Sequence, residues 1–143
     1  MNRRSTLSMI GSGMTLGAAG CLSLEAAGPV NFELLNFTED RHQIEITISE
    51  REGDIVLDDT YEISERSRGP AVIREAGITE ARNGDWFTIS IARQGTDPEE
   101  GGYRVTCNKT ESTENLFLAE IREYEDRDYV YFEFDQSTCS GGL

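Results

Sequence analysis

The chain has 143 residues, enough for one ordinary domain. Thirteen basic residues against 27 acidic ones give a formal net charge of −14. That balance excludes an electrostatic nucleic-acid binder, which needs a basic stripe to neutralise phosphates, and a polybasic membrane-surface protein.

The first twenty-one residues read as an export address. Arg3 and Arg4 form a positive start, Leu7 to Ala19 carry no charge, and Ala18-Ala19-Gly20-Cys21 closes the stretch with small residues. The run is too short for a spanning helix, which takes about 20 apolar residues. The arginine pair before a weakly apolar stretch resembles a twin-arginine signal, a type that carries folded cargo. Ala18 to Cys21 resembles a lipobox, which implies cleavage before Cys21 and a lipid on its thiol. The expected organisation is a signal peptide over 1–20, a lipidated tether over 21–29 and a folded domain over 30–143. The segment from Leu22 to Pro29 spans at most about 26–29 Å when extended, so the domain stays near the membrane.

The charge also bears on the solvent. Only Lys109 is lysine; the other basic residues are arginines. In dilute saline so acidic a domain repels itself, whereas at about 1 M salt the Debye length falls to about 3 Å and the repulsion is screened. Acid excess with lysine depletion points to a hypersaline medium.

After the tether come short runs with period-two alternation. Val30, Phe32 and Leu34 share one face, and Asn36 to Asp40 form a turn. His42, Ile44, Ile46 and Ile48 alternate with polar residues. Ile55, Leu57, Tyr61 and Ile63 continue on one parity, which Asp59 interrupts, so a bulge or an edge is expected there. Ala71 to Ile78 is a short apolar piece, and Asn83-Gly84 is a turn signal. Phe87, Ile89 and Ile91 alternate again. Gln94 to Gly102 reads as a loop, with Tyr103, Val105 and Cys107 as the next inward set. Leu116 to Tyr124 and Asp128 to Asp135 are the last two strands. Seven or eight antiparallel strands at this spacing predict an all-β, immunoglobulin-like β-sandwich.

Asn36-x-Thr38-x-x-x-His42 with its alternating isoleucines, the strand after Asp54, Gly102-Tyr103-x-Val105 and the cysteines of the C-terminal part resemble small immunoglobulin-like secreted lipoproteins of halophilic archaea. The resemblance covers most of the chain and implies architecture and location, not chemistry. Gly102-Tyr103-Arg104-Val105 is also similar to a tyrosine corner, in which a Tyr hydroxyl ties a loop to a strand.

Candidate chemistry is sparse. With Cys21 assigned to lipid, Cys107 and Cys139 remain as an even pair in an oxidising exterior, so a disulfide is expected. It would close about 32 residues and contribute about 3.7 kcal/mol in the loop-entropy picture. A metal or redox pair would need a closer Cys-x-x-Cys spacing. His42 is the only histidine, and no triad or zinc motif surrounds it, so a packed structural role is expected. The loop acids Asp58-Asp59, Asp97 with Glu99-Glu100, and Glu125-Asp126-x-Asp128 match no spaced Ca²⁺ loop and read as hydrated surface. Asn36 and Asn108 head N-glycosylation sequons. Trp86, Tyr129 and Tyr131 fall on outward parities and are candidates for an interaction surface, unless loops or strand ends cover them.

These features point to a non-enzyme with no cofactor. The expected protein is lipid-anchored on the extracytoplasmic face of the membrane and serves as a binding or structural module for an envelope protein. The alternative is a small-ligand or Ca²⁺ binder in an envelope transport or sensing system.

Overall fold

The computed structural model describes residues 28–106, 114–125 and 129–137. Arg3, Arg4, Cys21, Cys107, Asn108 and Cys139 lie outside the described residues. Eight strands form the fold: β1 (Gly28–Asn36), β2 (His42–Glu50), β3 (Ile55–Ile63), β4 (Ala71–Ala81), β5 (Trp86–Arg93), β6 (Glu99–Arg104), β7 (Asn115–Glu123) and β8 (Val130–Gln136). No helix occurs among the described residues. The strands build two four-stranded sheets, β4-β1-β7-β8 and β3-β2-β5-β6, packed as a sandwich. The all-β sandwich predicted from the alternation is therefore the observed fold.

Four differences have identifiable causes. First, β1 and β7 pair in parallel, Val30 opposite Asn115 through Asn36 opposite Ile121. No tight turn joins them, so nothing forces the antiparallel direction that a hairpin imposes. In the antibody arrangement the first two strands share a sheet; here β1 and β2 lie in opposite sheets. Second, β1 begins at Gly28, two residues inside the expected tether. Third, β6 begins at Glu99, within the stretch read as a loop. Its glycines permit close packing: a Cβ on Gly101 would lie 2.5 Å from the Phe134 ring. Fourth, Ile55 is 60% exposed although its parity predicted an inward side chain. The register steps from Ile48↔Leu57 to Ser49↔Ile55, so Val56 is an extra residue and Ile55 moves to the outer row with Ser49. The bulge expected near Asp59 thus lies three residues earlier, on a strand that is indeed an edge.

The four central strands supply the core: Phe32 and Leu34 from β1, Ile44, Ile46 and Ile48 from β2, Ile89 and Ile91 from β5, and Phe117 and Ile121 from β7 are buried. Tyr103 stacks on Phe117 at 4.3 Å, and Phe87 tilts against the same ring at 5.3 Å. Burial pushes the Tyr103 hydroxyl's pKa up, so it stays protonated and donates to the Leu118 carbonyl at 2.7 Å. That bond ties β6 to the opposite sheet, 15 residues downstream, rather than making a tyrosine corner.

Side chains close the open edges. At one side the Gln136 amide brackets the Arg104 backbone: Nε2 donates to the carbonyl at 2.5 Å, and Oε1 accepts from the amide N–H at 3.0 Å. At the other, the Tyr61 hydroxyl donates to Glu75 at 2.8 Å. Glu75 pairs with Phe32 in the β1–β4 register, an acidic residue on an edge strand of the sort that discourages further pairing. A bulge in β4 is capped by Asn31, whose Oδ1 accepts from the Gly77 N–H at 2.8 Å; Gly77 has φ +63°, a conformation that favours glycine.

Candidate binding surfaces

The strand directions divide the loops between two ends. Gly28 pairs with Ala81, and β2, β4 and β6 finish at that end; Asn36 pairs with Ala71 at the other. The two ends lie about 26 Å apart along β1.

Trp86 belongs to the Gly28 end. It opens β5, is 43% exposed and lies under the Arg104 guanidinium at 5.3 Å. It borders a shallow cleft of about 240 Å³ with Glu50, Arg51, Glu52, Gly84 and Asp85. Asn83-Gly84 is the turn its sequence predicted, with Gly84 at φ +94°.

Tyr129 and Tyr131 belong to the Asn36 end, so the structure does not bring them together with Trp86. It brings them to Tyr124. Tyr124 N–H donates to the Tyr129 carbonyl at 3.2 Å, extending the β7–β8 hairpin by one pair. The three rings are near-parallel: Tyr124 lies 5.4 Å from Tyr129 and 4.8 Å from Tyr131, and Tyr129 lies 6.4 Å from Tyr131. Tyr124 is 54% and Tyr129 51% exposed. Partial desolvation, then the neighbouring Glu133 carboxylate, push the Tyr131 hydroxyl's pKa up. Beside the trio, Arg122 sits opposite Tyr131 in register, lies over the Phe37 ring at 4.1 Å and bonds Glu120 at 2.7 Å. Tyr124 was not marked by parity alone. Hairpin register was the available signal, since pairing Glu123 with Val130 places Tyr124 opposite Tyr129.

The same end holds a buried polar knot. Asn36 is fully buried. Its Nδ2 donates to the Asp40 carbonyl at 2.8 Å and the Ser64 carbonyl at 2.9 Å. Its Oδ1 accepts from Thr38 N–H at 2.9 Å and Thr38 Oγ1 at 2.8 Å. His42 Nε2 lies 2.9 Å from Thr38 Oγ1. The same hydroxyl has two oxygen acceptors, Asn36 Oδ1 and the Asp40 carbonyl at 3.1 Å, and with its single proton given to either of them Nε2–H is the donor to Oγ1. Burial, then Arg93, lowers the His42 pKa, and Asp40 and Glu123 oppose them. The motif Asn36-x-Thr38-x-x-x-His42 thus tethers the first loop to the segment after β3. Both Nδ2 hydrogens of Asn36 are committed, so the folded domain does not present it as a glycan acceptor.

Among the described residues no group of three or more His, Cys, Asp or Glu is placed to hold a metal ion. Glu33, largely buried, is instead held by Arg74 across β1 and β4.

No family model matches the chain, and no curated protein matches it. Among solved structures, the chain is similar to a candidate cell adhesion protein of Bacteroides fragilis, at 11% identity and a TM-score of 0.38. The match covers 80% of this chain and 46% of that one, so the chain spans less than half of its length.

Proposed function

We propose that this protein is a membrane-anchored extracytoplasmic lipoprotein whose β-sandwich is a non-catalytic binding module at the cell surface. The observation that carries the reading is the exposed tyrosine trio at the end of the sandwich opposite Gly28. A chain tethered through Cys21 reaches Gly28 within about 23 Å. The Trp86 end then faces the bilayer, and the trio stands away from it. Two acyl chains on Cys21 anchor stably, since each buried CH₂ contributes about 0.8 kcal/mol. Exposed aromatic clusters of this kind are the usual anchors of protein interfaces.

The test is fractionation of cells expressing the full-length chain in molar salt, with mass spectrometry of the N-terminal peptide. The expected peptide begins at Cys21 and carries a diacylglyceryl mass, and Cys21→Ser releases the protein from the membrane fraction. An unmodified Cys21, or a protein retained in the cytoplasm, overturns the anchoring. Cross-linking in intact cells should then capture an envelope protein through the trio and not through Trp86.

A further inference from the structure

We propose that the tyrosine trio is a docking surface for an arginine-bearing cationic segment of a partner protein. The inference deepens the binding-module reading and rests on it. Three observations select this occupant. Tyr124 and Tyr129 expose about half of their surface, and their rings run nearly parallel to that of Tyr131, so flat π-faces are on offer. Carboxylates outnumber the one cation beside the trio among the described residues: Glu123 and Glu125 border Tyr124 in sequence, Glu133 stands beside Tyr131 with Arg122 opposite, and the whole chain carries −14. An anionic partner is repelled there, and a cationic one is steered in.

The third observation is local precedent. On this same surface Arg122 already lies over Phe37 at 4.1 Å while Glu120 holds its guanidinium. A guanidinium stacked on a ring and held at its edge by a carboxylate is therefore a geometry this surface builds. The trio offers further rings beside Glu133, a carboxylate that already lies 3.6 Å from the Arg122 guanidinium. Arginine suits such a site better than lysine, because its planar, weakly hydrated head stacks on aromatic faces. At high salt, Coulomb steering is screened and the stacking contribution persists.

The experiment titrates the full-length protein with two short labelled peptides of equal charge, one alternating arginine and glycine, the other lysine and glycine. Anisotropy is read at about 0.15 M and about 2 M salt. The expected result at high salt is about fivefold to tenfold tighter binding of the arginine peptide. Replacing Tyr124, Tyr129 and Tyr131 together by serine removes that preference, and Trp86→Ala keeps it. Tyr129→Ser alone, at an exposed position, halves it roughly and guards against misfolding of the triple variant. Equal affinities for the two peptides overturn the proposal. So does an arginine preference that survives loss of the tyrosines, or tyrosine-dependent binding of a neutral oligosaccharide in place of the peptide. The titration is independent of the Cys21 lipid, so its failure and the failure of membrane anchoring are separate results.

Discussion

Replacing Asn36 by Asp changes one atom type at the densest polar point of the domain. The side chain keeps its size, but Nδ2, which donates to the carbonyls of Asp40 and Ser64, becomes an acceptor facing two acceptors. Two hydrogen bonds are lost at about 1 kcal/mol each, and two oxygens are left facing a carboxylate, at about 1–3 kcal/mol together. The sum is about 3–5 kcal/mol, a large share of the 5–15 kcal/mol typical of a domain. With a urea slope near 1.5 kcal/mol per M, the midpoint falls by about 2–3 M. Denaturation followed by tryptophan fluorescence at constant molar salt measures it. Thr38→Ser keeps the hydroxyl that bonds Asn36 Oδ1 and should move the midpoint by less than about 0.5 M. A shift that small for Asn36→Asp would refute the view that this knot fastens the first loop to the segment after β3. The same committed N–H groups predict an unmodified Asn36 peptide in the mass spectrum of the folded protein.

Gly101→Ala forces a Cβ against Phe134 and should destabilise by about 1–3 kcal/mol, with Phe134→Leu restoring part of it in the double variant; additive effects of the two changes would disprove the contact. His42 gives a pH dependence with a definite sign. Its folded pKa lies below the ordinary 6.5, so between those values the unfolded chain binds more protons and stability falls as pH drops. Melting temperature should therefore decrease more steeply from about pH 7.5 to about pH 5.5 in the native protein than in His42→Asn, and equal slopes would remove the buried imidazole as the cause. The Cys107–Cys139 bridge expected from the sequence lies outside the described residues. Thiol alkylation of the folded, unreduced protein should leave both unlabelled, and reduction should lower stability by about 3–4 kcal/mol; labelling without reduction would sink the bridge.

How far the fold was legible follows from what period-two alternation encodes. Ile44, Ile46 and Ile48 could be placed inward because a central strand with one buried face must alternate, and all three are buried. Ile55 could not, because a single extra residue at Val56 inverts the parity beyond it, and a bulge has no strong signature when the residue is not glycine. Nor does alternation see hydrogen bonds across the sandwich. Tyr61 reads as an ordinary inward aromatic and Tyr103 as a local tyrosine corner, yet their hydroxyls pin opposing strands. The Asn36 sequon coincides with the turn expected from Asn36 to Asp40, and its Asn and Thr side chains are buried there satisfying backbone groups, which the letters of the motif do not reveal.

The binding surface turned on a second limit. Parity assigns a residue to a face of its sheet, and Trp86, Tyr129 and Tyr131 do face outward or half outward. Parity does not say which end of the sandwich a residue occupies. That depends on how many times the chain has crossed. Trp86 begins β5 and Tyr131 lies near the start of β8. An odd number of crossings separates those starts, so the two residues occupy opposite ends. Counting strands from Gly28 settles this without side-chain geometry, once the number of strands is known. The same count pairs Tyr124 with Tyr129 across the last hairpin. An aromatic surface split between two ends cannot meet one small partner. A trio gathered at one end can, and the end it occupies is the one opposite Gly28.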